Sequence, residues 1–89
     1  MTYEEILIKN AEDIVREIVL EEYKTSLKYF TRTVYFAKTQ LSVTQEQIDD
    51  IPCNFYPILK KILEDNDYNL VKYRYSKDTP ITFECKTNY

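Results

Sequence analysis

The chain has 89 residues, 44% of them hydrophobic and 30% charged, with a net charge of -3, a balance that suits one domain spanning residues 1–89 with a modest core. It contains no histidine, glycine or tryptophan, which removes the usual general base near neutral pH, the commonest metal ligand and every glycine-rich phosphate loop. With the common catalytic routes closed, we expect a protein that is not an enzyme and uses no metal or other cofactor.

The N-terminus, Met1-Thr2-Tyr3-Glu4-Glu5, is acidic, and no basic region precedes an apolar block, so we expect no signal peptide. No apolar run is long enough to cross a bilayer, and a cytoplasmic location without membrane contact follows as the default. Cys53 and Cys85 do not make a disulfide framework, and in a reducing compartment they read as free thiols.

Thr2 to Glu5 matches a T-x-x-E capping box, so a helix is expected to start at about Tyr3. Leu7, Ala11, Ile14 and Ile18 continue it, and a second ladder follows through Leu20, Tyr23, Leu27, Phe30, Val34, Ala37 and Leu41 at alternating spacings of three and four. Read as one helix from Tyr3 to Leu41, this segment would be about 57 Å long. A domain of this size is only about 30 Å across. The helix therefore either breaks, with Lys24-Thr25-Ser26 as the place, or projects and pairs with a second copy.

Lys28 to Phe36 is rich in β-branched and aromatic residues and carries strand as its alternative. We read it as helix, because no turn signal precedes it. Charge agrees: seven acids stand among residues 1–22, whereas residues 23–41 hold Lys24, Lys28, Arg32 and Lys38 and no acid, a distribution that complements a helix dipole.

Boxes of the S-x-x-Q and T-x-x-Q kind at Ser42 and Thr44 predict a short helix over Gln45 to Ile51, closed by Pro52. Asn54 then reads as the N-cap of a further helix, with Pro57 in its first turn. Phe55, Ile58, Leu59, Ile62 and Leu63 form its apolar face, and Asp65-Asn66-Asp67 stops it. Beyond the stop the period becomes two. Val71, Tyr73 and Tyr75, then Ile81, Phe83 and Cys85, alternate with polar residues on either side of Ser76-Lys77-Asp78-Thr79-Pro80, which predicts a hairpin with one apolar face.

The expected fold is thus α+β: a long or broken N-terminal helix, a short helix, a helix, and a C-terminal two-stranded antiparallel β-hairpin. Its expected core takes Leu7, Ile14, Ile18, Leu27, Phe30 and Val34 from the first half of the chain. The second half supplies Ile58, Leu59, Ile62, Val71, Tyr73, Ile81 and Phe83.

Two functional readings follow. Nine tyrosines are many for so small a domain, and tyrosine is favoured at protein interfaces. This points to a protein-interaction module that self-associates through its long helix, with Tyr23, Tyr29 and Tyr35 as candidate interface residues. The alternative is a winged-helix-like nucleic-acid binder. On a helix, Lys24, Lys28 and Arg32 form one basic stripe, and Lys72, Arg74 and Lys77 would sit on the wing. The acidic overall charge opposes the second reading.

The segment ILKKILEDNDYNLVKYRYSKDTPITFE, about a third of the chain, is similar to the C-terminal unit of small uncharacterised phage and prophage proteins. Those end in a helix, a Gly-Tyr-type turn and a short hairpin often closed by tryptophan. Here Asp67 stands in place of the glycine and Cys85-Lys86 in place of the tryptophan. The resemblance implies an accessory or host-directed viral protein that works by binding, and it carries over no functional residue.

Overall fold

The structure is a computed structural model and describes residues 2–36, 44–76 and 80–89. Helix α1 spans Tyr3–Thr25, strand β1 Tyr29–Val34, helix α2 Gln45–Asp65, strand β2 Tyr68–Arg74 and strand β3 Ile81–Thr87. The fold is α+β, with a three-stranded antiparallel sheet in the order β1-β3-β2 rather than a two-stranded hairpin. The expected S-x-x-Q box at Ser42 and the tip of the turn at residues 77–79 lie outside the described residues.

α1 begins where the capping signal places it: the Thr2 hydroxyl accepts from the Glu5 amide. It ends at Lys24-Thr25-Ser26, and among the described residues no helix runs on toward Leu41. The Thr25 hydroxyl donates to the Glu21 carbonyl and accepts from the Leu27 amide. Ser26 takes a left-handed backbone (φ 61°), and its amide closes on the Glu22 carbonyl, so the last turn is satisfied without the usual glycine. The helical reading of Lys28 to Phe36 is overturned. This segment is β1, paired along its length with β3, Phe30 opposite Cys85 and Val34 opposite Ile81. Its β-branched and aromatic composition wins once a partner strand satisfies the backbone.

α2 is the second correction. Residues 45–65 form one helix that runs through Pro52 and Pro57, instead of a short helix followed by a new one. Thr44 makes the full capping box with Gln47. Asn54 caps nothing; its amide donates to the Tyr3 hydroxyl. A proline inside a helix costs about 3 kcal/mol. Against this stand Ile51, Phe55, Leu59 and Leu63, spaced by four and all buried, each contributing about 1.5–3 kcal/mol. The four together match or exceed the cost of the two prolines. α2 stops at Asp65 as expected, and Asp67 (φ 66°) supplies the left-handed turn residue, which a short polar side chain tolerates.

Both helices cover one face of the sheet. That face is built from Phe30 and Val34 of β1, Tyr68 of β2, and Ile81, Phe83 and Cys85 of β3, all buried. Val71 breaks the expected alternation: Leu70 pairs with Cys85 and Lys72 with Glu84, so Val71 is an extra, bulged residue and is exposed. Leu27, also expected in the core, is exposed in the α1–β1 connection. Ile14, Ile58, Ile62 and Tyr73 pack against the core from partly buried positions.

Candidate interaction surfaces

The helix break scatters the expected basic stripe. Lys24 lies in the last turn of α1. Lys28 Nζ stands 3.5 Å from Glu22 Oε2 and 4.9 Å from the centre of the Tyr89 ring. Arg32 points to the helix-covered face of β1. There it pairs with Glu21, lies 5.6 Å from the Phe30 ring centre, and donates through Nη1 to the Thr31 carbonyl at 2.8 Å. Lys28 and Arg32 are therefore committed to internal partners. Lys77 lies outside the described residues.

Glu22 is the hub of one such cluster. It accepts from the hydroxyls of Tyr68 and Tyr89, and these two bonds, with Lys28 beside them, hold its carboxyl below the usual carboxylate value. Burial and the Glu22 contact in turn push the Tyr68 hydroxyl upward.

Lys72 and Arg74 do share a surface. They sit on the uncovered face of the sheet with Lys86, which aligns with Asn69 and Tyr29. The acid of this face, Glu84, accepts from the Tyr29 hydroxyl at 2.9 Å and lies 3.8 Å from Lys72 Nζ. The bond to Glu84 raises the Tyr29 hydroxyl above its ordinary value. Thr33 and Thr82 hydroxyls meet at 3.4 Å on the same face. The sequence alone does not single out Lys86, because only pairing of β3 between the other strands brings it beside Asn69 and Tyr29.

Tyr23, Tyr29 and Tyr35 are exposed by 87%, 48% and 74%, yet they do not form one patch. Tyr29 lies on the uncovered sheet face and Tyr35 just beyond β1. Tyr23 stands on α1 with exposed Leu20, away from buried Leu7, Ala11, Val15 and Ile18, and exposed Val19 flanks that buried stripe. The second apolar ladder of the sequence thus starts outside the core. Its first members, Leu20, Tyr23 and Leu27, face solvent.

The two sheet edges also differ. The Thr87 amide donates to the Lys28 carbonyl. Even-numbered residues of β1 therefore face β3 with their backbone groups, and Tyr29, Thr31 and Thr33 turn theirs to the outer edge, with which no described strand pairs. β1 has no bulge and no proline. The β2 edge is interrupted by the Val71 bulge, a feature that blunts an edge against further pairing.

Cys53 is exposed, with Sγ 3.7 Å from the Tyr75 hydroxyl, and Cys85 is buried; both are free thiols. Among the described residues no group of three or more acidic or cysteine side chains is placed to hold a metal ion, and no helix is long and apolar enough to cross a membrane. Comparison with protein-family models, with curated proteins and with solved structures yields no match.

Proposed function

We propose that this chain is a non-enzymatic protein-interaction module. The observation that carries the reading is the exposed apolar group Val19, Leu20 and Tyr23 on the outward face of α1. Leu20 and Tyr23 turn from the buried stripe of α1 and Val19 flanks it one turn after buried Val15, which gives the solvated side of α1 the character of a recognition surface. The C-terminal resemblance to phage proteins adds the expectation of an accessory or host-directed binding protein. The free state of both cysteines fits work in a reducing cytoplasm.

A tagged pull-down with and without nuclease tests this, run beside an L20E/Y23E variant. A stoichiometric protein partner that survives nuclease and is lost with the variant supports the module. Nucleic acid recovered by both forms, with proteins vanishing after nuclease, overturns it.

The second reading, nucleic-acid binding, is favoured by one observation: Lys72, Arg74 and Lys86 share the uncovered sheet face with the exposed Tyr29 ring. A helix-turn-helix needs a turn before its recognition helix, and residues 45–65 are one unbroken helix. The reading therefore moves from the helix to the sheet, where cations track phosphates and an aromatic ring stacks on a base. Such binding should weaken steeply between low and physiological salt, whereas contacts through Leu20 and Tyr23 should not.

A further inference from the structure

With the residue that follows it, β1 reads Tyr29-Phe30-Thr31-Arg32-Thr33-Val34-Tyr35. This is a chemical palindrome about Arg32: tyrosine mirrors tyrosine, phenylalanine mirrors valine, and threonine mirrors threonine. In a two-fold interface residue i meets residue j and j meets i. A strand that pairs with its own copy needs this symmetry; a strand that binds an unrelated segment does not.

We infer that β1 pairs antiparallel with β1 of a second copy, about a two-fold axis at Arg32, joining two three-stranded sheets into one of six. The inference rests on the interaction-module reading and names a partner for it.

The geometry is consistent at each level. Backbone groups of Tyr29, Thr31 and Thr33 point to the open edge, as derived from the Thr87–Lys28 bond. Centring on Arg32 puts Thr31 opposite Thr33 of the second copy, so their outward donors and acceptors are aligned to pair. Faces match as well. Phe30 meets Val34 on the helix-covered side, and Tyr29 meets Tyr35 on the uncovered side, which gives the two exposed tyrosines a shared role. A slip of one residue would set apolar against polar faces. A slip of two, centred on Thr31, would set Phe30 against Arg32 and leave Tyr35 without its mirror residue.

Arg32 against Arg32 is the one like-charge pair, and such pairs oppose association. Each guanidinium already has Glu21 of its own chain as partner. Arg32 also occupies the Thr31 carbonyl in the single chain. Pairing exchanges that bond for one from the Thr33 amide of the second copy, so Arg32 guards the edge until a matching strand arrives. The bulged β2 edge offers no equivalent row.

Sedimentation equilibrium of the wild-type chain over a wide concentration range, with amide hydrogen exchange read residue by residue, tests this. The expected result is a dimer whose formation slows exchange at Thr31 and Thr33. T33P removes an outward donor and the Thr33–Thr82 hydroxyl contact but leaves the β1–β3 backbone bonds in place, and it should weaken dimerisation by about tenfold or more, with the amide spectrum confirming the fold. A chain that stays monomeric at millimolar concentration overturns the pairing, as does a dimer in which the Thr31 and Thr33 amides exchange as fast as in the monomer. If that monomer still holds a protein partner through Leu20 and Tyr23, the pairing fails and the module reading stands. If L20E/Y23E loses nothing either, both fail.

Discussion

The hydroxyl of Tyr68 donates to the carboxylate of Glu22, tying the first residue of β2 to the last turns of α1. Tyr68 is buried and its ring meets Phe30 edge-on, with centroids 6.1 Å apart. The bond thus locks the end of α1 over the start of the sheet.

Tyr68→Phe keeps the ring and removes the donor. It should cost about 1–1.5 kcal/mol at neutral pH, read by urea denaturation. Because hydrogen bonds and Lys28 depress the Glu22 carboxyl, its contribution is present above the ordinary carboxylate range and is lost as pH falls through the depressed value. The difference between wild type and Y68F should therefore shrink in acid. An unchanged gap at about pH 2 would remove the ionised carboxylate from the account.

Phe83 and Val71 provide a paired test of the bulge. Both alternate correctly in the sequence, but Phe83 is fully buried on the central strand and Val71 stands out of the ladder. Phe83→Ala should cost about 3–5 kcal/mol. Val71→Ala should cost no more than about 0.5 kcal/mol, as expected of a surface position. Equal losses by thermal or urea denaturation would return Val71 to the core.

Pro57 is exposed inside α2, where no turn needs it. Pro57→Ala restores the amide that can donate to the Cys53 carbonyl and removes the ring from the helix interior. We expect stability to rise by about 1–3 kcal/mol. A helix that truly restarted near Asn54 would show no such gain.

Burial pushes the Cys85 thiol up to about 11, and burial likewise raises Tyr73 and Tyr68. The folded chain favours their neutral forms, so this stability is complete below the ordinary values and is lost as pH rises through the raised ones. For Cys85 the window runs from near 9 to about 11. Unfolding midpoints in urea should fall across it, and C85A should flatten that fall by up to one proton. In the folded protein a thiol reagent should modify Cys53 and spare Cys85.

Local signals were legible wherever one residue type does one job. Thr2 and Thr44 mark both helix starts, Asp65-Asn66-Asp67 marks a stop, and Ile81, Phe83 and Cys85 mark the buried face of β3. β1 was misread because its pattern is degenerate. Phe30 and Val34 are four apart, a spacing that puts two residues on one face of a helix and also of a strand. Its partner lies fifty residues away, so no neighbouring residue resolves the choice. Pro52 and Pro57 obey a local rule that buried Ile51, Phe55, Leu59 and Leu63 override. The Val71 bulge depends on what Leu70 and Lys72 meet across the strand, and that is written in β3.

For the candidate surfaces the same division holds. Lys72 and Arg74 alternate onto one side in the sequence and remain there. Lys24, Lys28 and Arg32 needed a helix that ends at Thr25. Leu20 and Tyr23 were assigned to a ladder without any signal that its first members face water.

The strand order β1-β3-β2 places in the middle of the sheet the strand that is latest in the chain. Among the described residues β1 and β2 each pair their backbone with β3 and not with each other, so neither has its lateral strand neighbour while residues 81–87 are still being synthesised. Closing β1 onto β3 spans about fifty residues, and a nucleus of such non-local contacts forms slowly. During that interval β1 is open on both edges. Nascent chains of this protein on neighbouring ribosomes should thus be most prone to join one another before β3 emerges, and a ribosome stalled ahead of Ile81 would hold them in that state.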